Sequence, residues 1–126
     1  MKVAITAQGK EMTSSTDPRF GRCQYFVIAD TDKSSFTAIA NDNLAAGGGV
    51  GIATAQALVN HGVEVVLTGN VGPNALRVLQ GAGIKVYTTQ APTVQAALQL
   101  WQAGGAEPLS QASVGSHFGM NRGGRR

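Results

Sequence analysis

The pattern of apolar and polar positions is strand-like in the first third of the chain. Three short apolar or β-branched runs occur there: KVAITA at 2–7, CQYFVIAD at 23–30 and SFTAIAND at 35–42. The last two flank the polar stretch TDKS and therefore predict an antiparallel hairpin. The polar segment 8–22, between the first two runs, predicts a long loop.

The spacing of apolar residues then changes to that of a helix. Between Val50 and Asn60 they recur at helical intervals, and His61-Gly62 supplies a stop. A second helix is predicted to begin at Pro73 and to end at the glycines of LQGAG, because proline suits the first helical position and glycine the residue after a helix. A third begins near Pro92, with one apolar stripe at Val94, Ala97, Leu98 and Trp101.

Between these helices lie two further apolar runs, VEVVLT at 63–68 and IKVYTT at 84–89. Near-continuous apolar runs are typical of strands covered on both faces. The element order β-β-β-α-β-α-β-α predicts an α/β fold of the ribonuclease H-like type, with a five-stranded mixed sheet flanked by helices. We expect one domain over residues 1–105 and a flexible tail containing glycine and arginine over 106–126.

This topology predicts where a ligand binds. If the first, fourth and fifth strands are parallel and the first three alternate in direction, the loops leaving strands one, three, four and five emerge at one edge. These loops are 8–22, 43–49, 69–72 and the segment near 90. Open α/β sheets bind ligands at such an edge, so we expect the site there.

Composition and charge narrow the class of protein. With 43% hydrophobic and 13% charged residues, the 126-residue chain is typical of one globular domain. The net charge of +3 comes from Arg122, Arg125 and Arg126, because the remaining chain has seven basic and seven acidic residues. The body is therefore neutral, and nucleic-acid binding is not expected of it.

Targeting and metal-site signals are weak. No run approaches the roughly 20 apolar residues that span a membrane, and the first residues lack the features of a signal peptide, so we expect a cytoplasmic protein without membrane contact. A single cysteine, Cys23, excludes an internal disulfide, and two histidines make a closed zinc site improbable.

The glycine-rich stretch AAGGGVGIATAQAL at 45–58 does not fit a nucleotide site. The dinucleotide fingerprint fails from Gly47, where the last position is Ile52, and from Gly49, where it is Thr54. The expected ribose carboxylate about 20 residues on is missing. A Walker loop fails as well, because no Lys-Ser/Thr follows the glycines. We therefore expect no nucleotide.

Catalytic constellations are also missing. Two-metal nuclease chemistry needs carboxylates on the first and fourth strands, where only Glu64 is available, at the wrong end. Asp30, Asp32 and Asp42 are interpreted as turn residues. Cys23 has no partner histidine at a suggestive spacing, and His61 fits a helix terminus. The residues indicate no catalytic role.

Anion-binding features remain at the predicted edge. Glycine-rich starts of two helices leave backbone N–H groups exposed, and Arg19 and Arg22 flank Phe20-Gly21. Arginine forks suit anions with several acceptors, and phenylalanine supplies an apolar wall. The alternative is that PRFGR is only a loop anchored by Phe20, with both arginines in solvent.

Two ordered motifs, DPRFGRCQYFVIAD at 17–30 and GGGVGIATAQALVNHGVEVVLTGNVGPNALRVLQGAGIKVY at 47–87, closely resemble the dinitrogenase iron-molybdenum cofactor biosynthesis protein family. The resemblance covers residues 1–103. It implies a ribonuclease H-like fold and a small carrier of metal–sulfur cofactors, a group that includes a molybdenum–copper orange protein. This chain is thus expected to be a non-catalytic carrier or assembly scaffold for an anionic cluster of molybdenum with iron or copper, served by donor and acceptor proteins.

The resemblance also implies the cofactor-binding positions. The arginines would offset the charge of the cluster, the glycines would donate backbone N–H groups, and Asn70 its side-chain amide. Cys23 and His117 are metal-ligand candidates outside the family motif, and Met12 and Met120 are further soft donors. The matching positions are Arg19, Phe20, Gly21, Arg22, Gly47, Gly48, Gly49, Gly69, Asn70 and Gly72.

Two other hypotheses stay open at this stage. The same glycine-rich edge suits a small-anion or nucleotide-binding enzyme, and the arginine-containing tail suits an adaptor that binds a protein or a nucleic acid. Cys23 at a strand start is equally explained as a small buried apolar residue. The sequence is silent on oligomeric state.

Overall fold

The structure is a computed structural model that describes residues 1–41 and 50–110. The elements in these ranges alternate as the sequence pattern predicts, and one short strand is added after the last helix. They are β1 (Lys2–Ala7), β2 (Tyr25–Asp30), β3 (Ser35–Ala40), α1 (Val50–Asn60), β4 (Val65–Thr68), α2 (Pro73–Gly81), β5 (Lys85–Thr88), α3 (Val94–Gln102) and β6 (Glu107–Pro108).

All six strands form one mixed sheet in the order β3-β2-β1-β4-β5-β6. β1, β4 and β5 are parallel, whereas β2, β3 and β6 each run antiparallel to their neighbours. The prediction of an α/β fold with a mixed sheet is therefore confirmed. The ribonuclease H-like assignment stays a prediction.

The prediction of five strands is wrong by one. The sixth strand, β6, lies in the segment 106–126 that the sequence predicts to be a tail, and Glu107 pairs there with Thr88. A hydrogen bond of 2.8 Å from the Leu109 amide to the Val86 carbonyl extends the pairing. Two residues are too short a strand to show a periodic pattern, so backbone pairing alone identifies it.

The sheet has an apolar core on each face because alternate side chains of each strand point to opposite sides. On one face, Ala4, Phe26 and Val66 pack beneath α1 and α2. On the other, Ile5, Val27 and Leu67 pack beneath α3, whose predicted stripe at Val94, Ala97, Leu98 and Trp101 faces this core. Layers of two helices, one sheet and one helix thus explain why the central strands are apolar throughout.

The helix boundaries follow from the predicted start and stop signals. Pro73 begins α2, and Gly83 after its end has a φ of +79°, which glycine adopts without strain. Thr93 caps α3, where its hydroxyl accepts a hydrogen bond from the Ala96 amide. Gly62 ends α1 with a φ of +75°. Within the described ranges, no helix is long and apolar enough to cross a membrane.

Candidate functional site

The ends of four strands meet at one edge of the sheet, as the topology predicts. The parallel register aligns Ile5 with Leu67 and Leu67 with Tyr87, so β1, β4 and β5 end side by side. The antiparallel register places Tyr25, at the start of β2, between Ala7 and Ala40. The first loop, 8–22, therefore leaves the same edge as residues 69–72 and the segment after Thr88.

The first loop is fixed by backbone hydrogen bonds to the start of α3. The amides of Val94 and Gln95 donate to the carbonyls of Ser14 and Met12 at 3.0 and 2.8 Å, and the Thr16 amide donates to the Pro92 carbonyl at 3.1 Å. The first-turn amides of α3 are thus occupied by protein acceptors. This helix N-terminus is not available to an anion.

The same loop also pairs with the loop after β4. The Asn70 amide donates to the Pro18 carbonyl at 2.7 Å, and the Phe20 amide donates to the Asn70 carbonyl at 3.2 Å. Gly69 permits this approach, because a Cβ on it would lie 2.7–2.9 Å from the atoms of Pro18. Gly69, predicted to expose its amide to a ligand, is therefore required by the packing of two loops.

Residues 17–23, DPRFGRC, form a segment that we call the arginine loop. Its first member, Asp17, has only 1% of its surface exposed, whereas the Arg19 side chain is 63% exposed. The Arg19 Nε and Nη2 atoms donate to the two Asp17 carboxylate oxygens, each at 3.0 Å, and the Arg19 amide donates to Oδ1 at 3.0 Å. One face of the arginine fork is thus occupied by a carboxylate of the same loop.

This pairing determines the ionisation of Asp17. Burial acts to raise the pKa of the Asp17 carboxyl, but the hydrogen bonds and charge of Arg19 outweigh burial and hold the pKa below its usual value. The pKa of the Arg19 guanidinium is raised by the same hydrogen bonds and charge. Arg22 is exposed and forms no ion pair within the described ranges. Arg22 is therefore the uncompensated cation of this loop.

The interior of the arginine loop belongs to the core. Phe20 is 2% exposed, and its ring packs edge-on against Phe26 with the centroids 5.7 Å apart. Apolar burial directs the ring into the core under α1 and α2, and the role of Phe20 as a wall of the cofactor site stays a prediction.

Cys23 also lies in that core and is fully buried. Its thiol contacts the Phe20 carbonyl oxygen at 3.4 Å, and burial, together with the charge of Asp17, raises the pKa of the thiol to about 12. Metal binding requires the thiolate, which burial disfavours here, so the structure gives no support to a metal ligand at Cys23, and that role stays a prediction. The alternative, a small buried apolar residue, describes it.

Asn41 holds the arginine loop in place from the end of β3. Its side-chain amide donates to the carbonyls of Gly21 and Cys23 at 3.1 and 2.9 Å. Its carboxamide oxygen accepts from the Thr54 hydroxyl of α1 at 3.2 Å. The sequence pattern places Asn41 inside the predicted run 35–42 and does not indicate this role, whereas in the structure β3 ends at Ala40 and Asn41 follows it as a backbone clamp.

The remaining predicted positions lie on both sides of this loop pair. Asn70 is exposed, and its side-chain amide forms no hydrogen bond within the described ranges. Gly72 is the N-cap of α2 and, as a glycine, provides no side-chain cap. The first intrahelical hydrogen bond runs from the Leu76 amide to the Gly72 carbonyl, so the amides of Asn74 and Ala75 have no acceptor within the helix. Gly21 is half-buried and contributes its carbonyl to Asn41.

A cavity of about 730 Å³ opens on the other side of the loop pair. It lies between residues 16–18, 69–70, 88–92 and 105–107, and we call it the threonine hollow because five threonines line it. Arg19, Phe20 and Arg22 do not line it. These threonines are Thr6, Thr16, Thr68, Thr88 and Thr89.

Three of these threonines form a row across the sheet. Thr68 pairs with Thr88 in the register, and the hydroxyl oxygens of Thr6 and Thr68 are 2.9 Å apart. This row was not predicted. Its signal is nevertheless present in the sequence, because each of the three apolar runs KVAITA, VEVVLT and IKVYTT has a threonine at or near its end.

Several predicted residues do not belong to the site or cannot be placed. Met12 is half-buried against the core beside α3, and His61 lies near Lys2 at the opposite edge of the sheet. Among the residues that the structure describes, no three His, Cys, Asp or Glu side chains are grouped to hold a metal. Outside the described residues lie Asp42, Gly47, Gly48, Gly49, His117 and Met120.

Comparison with known proteins identifies the relatives of the chain. Residues 1–104 match the family described as dinitrogenase iron-molybdenum cofactor. An uncharacterised protein of Methanocaldococcus jannaschii is 30% identical over 113 residues, which cover 85% of this chain and 90% of the relative.

Two solved structures share the fold at higher identity. The orange protein of Desulfovibrio gigas, solved in its apo form, has a TM-score of 0.86 and 36% identity, covering 89% of this chain and 95% of its own. A Thermotoga protein provisionally named NifB, of the DUF35 family, has a TM-score of 0.80 and 38% identity, covering 89% of this chain and 96% of its own. The predicted resemblance is confirmed.

Proposed function

The chain belongs to the dinitrogenase iron-molybdenum cofactor family, and on this basis we propose that it is a carrier or assembly scaffold for an anionic metal–sulfur cluster, not an enzyme. The cluster contains molybdenum with iron or copper and is held without covalent bonds. Donor and acceptor proteins load and unload it in the cytoplasm.

The uncompensated charge of the arginine loop carries the proposal. Arg22 is exposed and unpaired within the described ranges, and the loop that holds it is bonded to Asn70, two residues before the N-cap of α2. The N-terminus of α2 adds open amides and the positive end of a helix dipole. A cation, the first-turn amides of α2 and the Asn70 side chain, which has no hydrogen bond to a described residue, together suit a polyanion with sulfide or oxo acceptors.

The mode of binding follows from what the described residues lack. Among them, no three His, Cys, Asp or Glu side chains are grouped, and Cys23 is buried with a thiol whose pKa is raised to about 12. The features that support the proposal are therefore charge and hydrogen-bond donors that can reach the outer sulfur or oxygen atoms of a cluster. Binding of this kind suits a protein that later releases its cargo.

The two arginines have different roles in this proposal. Arg19 is clamped by Asp17 and presents only its outward N–H groups, so it contributes direction more than net charge. Arg22 supplies the net positive charge. The sequence motif gave them equal weight, whereas the carboxylate of Asp17 distinguishes them.

Anaerobic gel filtration with tetrathiomolybdate, with and without copper, tests the proposal. The protein fraction should carry a visible charge-transfer absorption and molybdenum. We expect Arg22→Gln to weaken retention about fivefold at low salt, and less at high salt, because an exposed charge acts through a screened interaction. Arg19→Gln should weaken it less.

The matched control is Lys85→Gln, which removes one exposed positive charge at the opposite edge of the sheet. It should leave retention unchanged, while circular dichroism verifies that all variants are folded. A colourless protein fraction, with all molybdenum in the small-molecule volume, would contradict the carrier function. Equal loss in Arg22→Gln and Lys85→Gln would show that net charge, and not this loop, governs binding.

A further inference from the structure

The threonine hollow has the opposite electrostatic character from the arginine loop. Within the described ranges, no lysine or arginine lines it, and its two charged lining residues are Asp17 and Glu107. The Asp17 carboxylate is paired with Arg19, which does not line the cavity, whereas Glu107 forms no ion pair with a described residue. An anionic ligand would therefore meet the Glu107 carboxylate without a lining cation.

The floor of the hollow presents hydrogen-bond acceptors. Thr6 and Thr68 are 0% and 2% exposed, and the Thr6 hydroxyl contacts both the Asp17 carbonyl oxygen and the Thr68 hydroxyl. A carbonyl can only accept, so the single Thr6 proton goes to Asp17, and Thr68 must donate to Thr6. The Thr68 proton is then consumed, and its oxygen has only a lone pair to offer a ligand.

The wall continues this pattern. The Thr16 hydroxyl donates to the Ala91 carbonyl at 2.7 Å, so its proton is also consumed within the protein. Thr16, Thr68 and the Glu107 carboxylate therefore offer acceptor oxygens to a ligand. The exposed side-chain amides of Asn70 and Gln90 and the Thr89 hydroxyl, which accepts from the Ala91 amide, also line the cavity and can donate. A ligand head that donates hydrogen bonds and carries a positive charge is matched by the three acceptors and by the lack of a lining cation among the described residues.

Apolar side chains complete the lining and indicate an organic ligand. Ile5, Leu67, Pro92 and Leu100 line the same cavity, and Leu100 is 38% exposed. The volume of about 730 Å³ lies in the range of small-molecule pockets and far exceeds that of a bare ammonium ion. A ligand with a charged head and an alkyl body would satisfy both the oxygens and the apolar wall.

From these observations we propose that the threonine hollow is a second binding site, which takes an organic cation with a primary ammonium or guanidinium head. The head donates to the Thr68 and Thr16 oxygens and pairs with Glu107, while the alkyl body lies against Leu67 and Leu100. A free amine and a basic side chain of another protein share this chemistry. The site is independent of the cluster-carrier function.

Methyl NMR of threonine-labelled full-length protein tests the proposal, because the ten threonines divide evenly. Five line the hollow, and five lie elsewhere and act as internal controls: Thr13, Thr31, Thr37, Thr54 and Thr93. Titration with n-butylammonium should shift the five lining methyls selectively. Nα-acetyl-lysine amide, which imitates a basic side chain, should bind more tightly than butylammonium if the natural ligand is a protein.

Two uncharged or anionic probes provide the contrast. 1-Butanol has nearly the shape of n-butylammonium without its charge and should bind at least fivefold more weakly. Tetrathiomolybdate should leave the lining methyls unshifted. Shifts by butanol equal to those by butylammonium, or preferential shifts by tetrathiomolybdate, would overturn the proposal, as would a butylammonium titration that moves no lining methyl.

Variants separate the charged and neutral contributions. Glu107→Gln, on the exposed β6, should weaken butylammonium binding about threefold, as loss of one exposed charge partner does. Glu64→Gln removes an exposed carboxylate next to β4 at the opposite edge and should leave binding unchanged. Identical affinities in Glu107→Gln and wild type would exclude Glu107 from the site and overturn the assignment of the charged contact.

Discussion

The arginine loop and the threonine hollow occupy the two halves of one sheet edge, yet they are built in opposite ways. Phe20 and Cys23 fill the space beneath the arginine loop, and Arg19 and Arg22 are exposed at its surface. The threonine hollow is open and presents oxygens. The two share a partition, formed by Asp17 and Pro18 on one side and Gly69 and Asn70 on the other.

The comparison shows that the exposed positive charge and the cavity lie at different places on this edge of the sheet. A ligand of the arginine loop would lie on the surface, whereas a ligand of the hollow would lie in an open cavity of about 730 Å³. The partition keeps the two apart because Asp17 directs its carboxylate to Arg19 and its carbonyl to Thr6. Three measurements test whether this separation is real, and they are given in order of decreasing expected effect.

The largest effect concerns the solid interior of the arginine loop. Cys23 should react with a disulfide reagent at pH 8 about a thousandfold more slowly in the folded than in the unfolded protein. The reason is that its pKa is raised to about 12, so little thiolate exists, and no surface of the residue is exposed. Spectrophotometric thiol titration measures both rates.

The control is the same protein unfolded in urea, whose thiol should react at the rate of a free cysteine. In addition, Cys23→Ala should retain tetrathiomolybdate as the wild type does, because the thiol is not exposed to a ligand. Rapid labelling of the folded protein, or loss of molybdenum from Cys23→Ala, would show that the loop opens and that its interior takes part in binding.

The second effect concerns the partition itself. Gly69→Ala should lower the free energy of unfolding by about 2 kcal/mol, equivalent to about thirtyfold in the unfolding equilibrium, because the new methyl would collide with Pro18. Urea denaturation followed by circular dichroism measures the change. If the collision separates the loops, the arginine loop and the hollow should both lose their ligands.

Gly81→Ala is the matched control. A Cβ at Gly81, the last residue of α2, meets no atom within 4 Å. The substitution should raise the free energy of unfolding by up to about 1 kcal/mol through the lower entropy of the unfolded chain. An unchanged stability of Gly69→Ala would mean that the two loops do not depend on close approach at this residue.

The smallest effect concerns Asp17, whose carboxylate pairs with Arg19 and whose carbonyl accepts a hydrogen bond from Thr6. The pKa of Asp17 is below its usual value in the folded protein, so its ionised form stabilises the fold. This contribution is complete above the unfolded pKa of about 3.9 and is lost as the pH falls through the folded pKa. Asp17→Asn should therefore lower the Tm at pH 7, and its difference from wild type should shrink below about pH 4.

Glu11→Gln, an exposed carboxylate of the same first loop, is the control and should have nearly the wild-type Tm at both pH values. Calorimetric or circular-dichroism melting at pH 7 and pH 3 measures all three proteins. A difference between wild type and Asp17→Asn that stays constant with pH would show that shape, not charge, is what Asp17 contributes to the partition.

Most of the fold is predictable from the sequence because its signals are local. The helix over Val50–Asn60 and the one beginning at Pro73 coincide with the observed elements, since each has both periodicity and a stop residue. β6 could not be predicted, because two residues, Glu107 and Pro108, are too few for a pattern and depend on a neighbour distant in sequence.

The site is less predictable because side-chain type does not determine partners. The sequence correctly predicts that the ends of the strands converge, but Phe20, Cys23 and Gly69 have structural roles that depend on what lies beneath or beside them. Asp17 lies in the predicted loop 8–22, where nothing in the sequence indicates that its carboxylate pairs with Arg19. The expectation for Arg22 stays a prediction.

The hydrogen bonds between the first loop and the start of α3 have a consequence for the order of folding. Thr16 and Ala91 are bonded although they are 75 residues apart, and Gln95 donates to Met12. During synthesis, the first loop therefore leaves the ribosome long before the segment that shapes it. The first part of this loop, up to Thr16, takes its final form only when α3 docks, so we expect a nascent chain that stops before Val94 to form its hairpin without the threonine hollow.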